Sequence, residues 1–365
     1  MSADLLETTL DRLLTERCGP DVRRAAEEGG FPGELWALLA DSGFAFASVP
    51  EAAGGSGGNL EDAAVLCRVA GRHAVPLPLA ECSLLGGWLI GVADLSLPPG
   101  PFTVAVPRQG DELVIGTYGG DWIVSGHLGW VPFGAEVQHV VAVATGEQGL
   151  RVVILETAGA TVTAGRNVAG EARDTLDFAR FRVRTDRVAV ASAELAAELA
   201  LRGSLSRSLL MSGAMEAISD MTISYAHERQ QFGRPIAAFQ AVASHLVRLA
   251  SEAELAGLAT QAAARELARS GPTAAFEVAA AKATASRAAS EVAAHAHQVH
   301  AAIGMTQEYP LHHFTRRLWA WRQEWGSERA STRQLGDTVG ALGADQLWPR
   351  ISGEHGLAAP PVTLG

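Results

Sequence analysis

The chain has 365 residues, 48% of them hydrophobic and 19% charged, a globular composition that excludes intrinsic disorder. Its formal net charge of −11 argues against non-specific binding to nucleic acid or to an anionic membrane surface. Three cysteines, Cys18, Cys67 and Cys82, follow no metal-ligand spacing, and their odd number speaks against a disulfide framework.

The opening MSADLLETTLDRLL reads as a charged helix without a signal-peptide core, and no uncharged apolar run reaches the length of a membrane span. A cytoplasmic protein is expected. Apolar residues at three- and four-residue spacing continue through PGELWALLADSGF and LEDAAVLCRVAGRH, so residues 1–99 form a predicted N-terminal helical domain. The glycine-rich SVPEAAGGSGGN interrupts it as a loop.

Over residues 100–188 the period changes. Short Val-, Ile- and Thr-rich runs such as FTVAVP, HVVAVAT and LRVVILE, divided by Gly and polar turns, predict an antiparallel β domain. Trp122 and Trp130 are expected in its core. Residues 189–346 return to helix, with long Ala-rich runs over 243–269 and 273–302 separated by Ser270-Gly271-Pro272. Residues 347–365 form a Pro- and Gly-punctuated tail, expected to be loosely held. The order is α–β–α without internal repeats, an α+β fold ending in a helical bundle.

Two stretches of the last domain carry more polar chemistry than a helix connection requires. ERQQFGRPIAAFQ (residues 228–240) places Arg229, Gln230, Gln231, Arg234 and Gln240 around a Phe232-Gly233 turn. A guanidinium offers a planar fork of donors suited to phosphate oxygens, and carboxamides add neutral donors. The alternative is a plain helix connection in which Arg229 caps a helix end. QVHAAIGMTQEYPLHHFTRRL (residues 298–318) breaks a helix at Ile303-Gly304 and restarts it after Pro310. There Gln298 can supply amide contacts, while small residues such as Ala301, Ala302 and Gly304 allow close approach. His295, His297 and His300 spread around a helix, so no metal site is expected. Trp321 and Trp325, four apart, predict an aromatic stripe against a neighbouring helix or subunit.

Together these stretches resemble the acyl-CoA dehydrogenase family. The elbow follows its R-x-x-F-G-x-P-I-x-x-F-Q pattern, and the later stretch its Q-x-x-G-G-x-G-x-x-x-E-Y-P. VPEAAGGSGG resembles the same family's Pro-Glu-x-x-Gly-Gly-x-Gly loop, and the α–β–α order agrees. The resemblance implies a flavoprotein that dehydrogenates an acyl-CoA thioester, with a carboxylate removing the α-proton and FAD taking the β-hydride. It further implies that Arg229 pairs with the FAD pyrophosphate across a subunit interface, that Gln231 and Gln240 lie along the cofactor and that Phe232 packs on it. Gln298, Ala301 and Ala302 fall in the second cofactor loop, where Ala301 and Ala302 replace two family glycines.

The chain departs from the family where its chemistry resides. Pro132, in Gly129-Trp130-Val131-Pro132, stands where a flavin-bonding Thr is expected and offers neither hydroxyl nor N–H. The usual base position is Trp325 in Glu324-Trp325-Gly326, and the other family position falls near Arg202-Gly203-Ser204. Glu324 is displaced by one residue, about 100° on a helix, and is expected as a solvated or salt-bridged carboxylate. The run LHHFTRRLWAWRQEWGSE resembles the steroid-side-chain branch, where two related chains assemble. This chain is therefore expected to be the base-lacking half of a heterotetramer sharing FAD with a base-bearing related subunit. Two alternatives are a self-sufficient homotetramer using Glu324 and a non-enzymatic subunit without FAD.

Overall fold

The leucines of DLLETTLDRLL settle how the first helix packs: Leu6, Leu10 and Leu14 recur every four residues and are buried along α1 (Ala3–Arg17). The computed structural model describes residues 3–108 and 110–352, arranged as two compact units. One contains the described residues of 1–67 and 75–202, the other residues 68–74 and those from Gly203 onward. No helix among them is long and apolar enough to cross a membrane.

The first unit begins with α1, α2 (Pro20–Glu27) and α3 (Gly33–Asp41) and includes most of α4 (Leu60–Arg72). Pro20 starts α2, where its missing N–H costs nothing. The glycine-rich loop folds back on the chain before it: the amides of Gly57 and Gly58 donate to the carbonyls of Val49 and Ala47. A buried π-helical turn, Glu81–Leu85, leads into α5 (Gly86–Val92). The three cysteines are buried thiols.

The strands are β1 (Phe102–Ala105), β2 (Glu112–Tyr118), β3 (Asp121–Pro132), β4 (His139–Gly146), β5 (Gly149–Glu156), β6 (Ala160–Thr163), β7 (Arg173–Val183) and β8 (Val188–Val190). Seven run in the order β6-β7-β3-β2-β4-β5-β8, and β1 pairs with β4. The sheet is mixed. β1 and β2 both run parallel to β4, along residues 139–142 and 145–146 respectively, while the other pairs are antiparallel as expected. Alternating Leu113 and Ile115 of β2 join Val124, Leu128, Val140, Val153, Leu176 and Phe178 in one buried cluster.

The second unit is a bundle. Its first long helix, α6 (Ala193–Glu228), enters from the first unit, capped by the Ser192 hydroxyl accepting from Leu195 N–H. Where α4 crosses it, Gly71 and Gly213 bring the backbones together: a Cβ on Gly213 would lie 1.8 Å from the Arg68 carbonyl oxygen. Ion pairs from Arg68 to Glu216 and from Arg72 to Asp220 flank the crossing. α7 (Gln240–Ser270) and α8 (Ala275–His300) form an antiparallel hairpin, as the pairs His245–His295 and Glu252–Arg287 demonstrate. α9 (Leu311–Trp321), α10 (Glu328–Leu342) and α11 (Leu347–Ser352) follow. The predicted tail thus begins with a short helix, and its remainder lies outside the described residues.

Candidate functional site

The elbow between α6 and α7 is a miniature hairpin, β9 (Gln230–Gln231) with β10 (Arg234–Pro235). Phe232 and Gly233 between them have φ of 53° and 79°. Two positive φ values suit the tight hairpin turn whose twist matches its strands, and glycine takes the second position without strain. Phe232 is held at the tip, 91% exposed. Behind it Phe239 meets the Phe232 ring edge-on at 6.0 Å and carries the Arg234 guanidinium over its face at 4.2 Å. Arg229 does not cap α6 by its side chain. That side chain is exposed, without an ion pair among the described residues, while its backbone N–H closes the last turn onto Tyr225. Gln231 and Gln240 are exposed beside it.

The second stretch comes to the same end of the bundle. α8 stops at His300, a 3-10 turn covers Ala301–Met305, and α9 starts after Pro310. A ring cluster joins the two segments: His300 stacks on Tyr225 of α6 at 4.6 Å and meets Tyr309 at 4.7 Å. The His300 Nδ1 donates to Ala296 O, and burial holds its pKa below the ordinary histidine value. Gln298, Ala301 and Ala302 are exposed on this end. The structure therefore gathers every candidate cofactor residue onto two neighbouring segments of one unit.

Ala301 is strained. Its φ of 51° and ψ of −134° nearly match the 57° and −138° of Gly271, which ends α7. Glycine adopts this region freely and alanine does not. Ala301→Gly is expected to stabilise the chain by about 1 kcal/mol, read as a higher denaturation midpoint. An unchanged or lower midpoint would show that the strain is relieved elsewhere.

Neither base position offers a free carboxylate. The ring of Trp325 lies on Gly203, so close that a Cβ there would be 2.0 Å from the indole. The two stretches where the resemblance implies a base, at Trp325 and near Arg202-Gly203-Ser204, are thus in contact. Trp325 itself has φ of 55°, a costly conformation for a bulky residue. Glu324 is 7% exposed and accepts from Arg207 Nε at 2.8 Å, a buried ion pair. Below it Lys282, fully buried, donates to the carbonyls of Trp321 and Glu324, each at 2.8 Å. The Trp321 carbonyl ends α9, where a donor is needed, and that of Glu324 lies in the turn beyond it. Burial, reinforced by the charge of Arg207, pushes the Lys282 pKa down to about 7. The salt-bridged Glu324 was foreseeable; Arg207 and Lys282 were not, because only the bundle brings them to it. Trp321 is buried, as its spacing with Trp325 implied.

Trp130 corrects the sequence reading. It is not a core residue but 43% exposed, with φ of 60°, in the stretch between Leu128 and Val131 where the β3–β7 register shifts. Asp111 holds that stretch by accepting from Gly129 N–H at 3.1 Å, and the Arg108 guanidinium is 5.7 Å from the indole. The neighbouring Pro132 is buried.

The family models for the acyl-CoA dehydrogenase N-terminal and C-terminal domains match residues 2–91 and 193–339. "Acyl-CoA dehydrogenase IpdE2" of Mycobacterium tuberculosis (strain ATCC 25618 / H37Rv) is 30% identical over 342 residues, 92% of this chain and 96% of that one. Two solved assemblies share its fold. The ChsE4-ChsE5 complex from Mycobacterium tuberculosis has a TM-score of 0.85 at 24% identity, covering 94% of this chain and 98% of that one. A variant of the Tcur3481-Tcur3483 steroid ACAD has 0.82 at 24% identity, covering 93% and 99%.

Proposed function

Since the chain belongs to the acyl-CoA dehydrogenase family, we propose that it is the supporting subunit of a two-chain flavoprotein. That assembly would remove hydrogen from the α and β carbons of an acyl-CoA thioester. The observation that carries this reading is the pair of closed base positions: Trp325 lies on Gly203, and Glu324 is bound to Arg207. A base must reach the proton it removes, so the carboxylate has to come from a related partner chain.

The residues of the two exposed segments fit a share in FAD. Arg229, free of an ion pair among the described residues, supplies a forked cation for the pyrophosphate, and Gln231, Gln240 and Gln298 supply neutral donors beside it. Phe232, solvent-exposed at the hairpin tip, is placed to be covered by cofactor and partner together. Ala301 and Ala302 border the same end, their methyl groups narrowing the approach where the family has glycines. Bound there, FAD would supply the acceptor for the hydride. The names of the two solved assemblies support a paired arrangement, and one of them, a steroid ACAD, supports a bulky steroid side-chain acyl-CoA as substrate.

The test is the visible spectrum of the chain purified alone and with a base-bearing homologue. Flavin absorbance only in the co-purified assembly is the expected result, and Arg229→Ala should abolish its retention there. Stoichiometric flavin in the chain alone would overturn the two-chain reading and return Glu324 to consideration as a base. A colourless assembly would leave a scaffold subunit, the reading that the methyl groups of Ala301 and Ala302 favour.

A further inference from the structure

We propose that His245 of α7 and His295 of α8 form a one-proton latch between these helices, closed at neutral pH and opened by acid. Their Nδ1 atoms are 2.8 Å apart, with ring centroids at 5.0 Å and planes tilted by 51°. Two imidazole nitrogens at that distance hold a single hydrogen, one ring donating and the other accepting. His295 Nε2 is buried without a hydrogen-bond partner among the described residues and faces Glu291 Oε2 at 3.6 Å. A hydrogen on that nitrogen is favoured by the carboxylate, which leaves His295 Nδ1 as the acceptor and His245 as the donor.

This assignment decides what each added proton does to the contact. A proton placed on Nε2 of His245 would leave the N–H···N bond intact with a charged donor. A second proton must enter on His295 Nδ1, where it would set N–H against N–H at contact distance. The latch therefore survives one proton and fails with two. The charged groups acting on His295 are Arg248 and Glu252 on α7 and Glu291 on α8, and Glu252 is also paired with Arg287 at 2.9 Å. Burial first, then the charge of His245, hold the His295 pKa below the ordinary value, so opening belongs to the acid side of neutrality. His245 lies in the second turn of α7, directly after the elbow, so opening frees the helix end from which Gln240 and the hairpin project.

Amide hydrogen exchange over residues 241–249 of the full chain at pH 7.5 and 5.0, corrected for intrinsic exchange, tests the latch without cofactor or partner. Exchange in the wild type should accelerate about tenfold at the lower pH. His295→Gln keeps an acceptor oxygen for His245 but cannot take the second proton, so its corrected exchange should stay flat. Equal acceleration in both proteins would overturn the proposal, assigning the effect to other histidines such as His297 and His300. No acceleration in the wild type would overturn it as well. If His295→Gln does not fold, His245→Gln provides the same comparison.

Discussion

Replacing Arg207 with methionine is expected to cost the chain about 3–5 kcal/mol, the usual consequence of leaving one member of a buried ion pair without the other. Arg207 is 2% and Glu324 7% exposed, so solvent cannot take over the role of the guanidinium. Replacing both by methionine should recover most of the loss, because the desolvation of two charges is removed together. Denaturant midpoints of the two single variants and the double variant provide the measurement. A loss below about 1 kcal/mol for Arg207→Met would show that the pair is solvated in solution. A further variant, Glu324→Gln, separates structure from chemistry. With the base in a partner, Glu324→Gln should lower the midpoint while turnover per folded assembly persists, whereas loss of turnover at full occupancy would make Glu324 catalytic.

Stability should also rise as the medium becomes alkaline, and Lys282 is the cause. Its folded pKa of about 7 lies below the 10.5 of an unperturbed lysine. Between these values the unfolded chain binds a proton that the folded chain has released, so unfolding becomes harder with increasing pH. The slope approaches about 1.4 kcal/mol per pH unit when one full proton separates the states. A neutral amine has two N–H donors, matching the two carbonyls that Lys282 meets, so little is lost on deprotonation. The comparison is wild type against Lys282→Met between pH 7.5 and 9, because the raised pKa of buried Cys82 works in the opposite direction at higher pH. Parallel stability curves for the two proteins would refute the assignment.

Periodicity made the α–β–α order legible, and turn chemistry located the elbow and the break after His300. Both depend on residues close together in sequence. The parallel β1–β4 pairing was not legible, because alternation specifies a face and not the direction of a neighbour. Trp130 was misplaced for a related reason: the register irregularity after Leu128 turns its side chain outward, and nothing in Gly129-Trp130-Val131 marks it. Glu324 could be read as salt-bridged, but its partner Arg207 lies 117 positions away. Arg202-Gly203-Ser204 was legible as a stretch without a carboxylate, but the ring of Trp325 upon Gly203 was not, because the two lie far apart in sequence.

That seating has a historical consequence. Where a base has merely been mutated away, a single reversal can restore it. Here a carboxylate placed at position 325 would leave the space of an indole vacant above Gly203 and would place a second acid beside Glu324. Recovery therefore requires several coordinated changes, each unfavourable by itself. On the two-chain reading proposed above, the glycine and the tryptophan packed against each other make a self-sufficient descendant of this chain hard to reach.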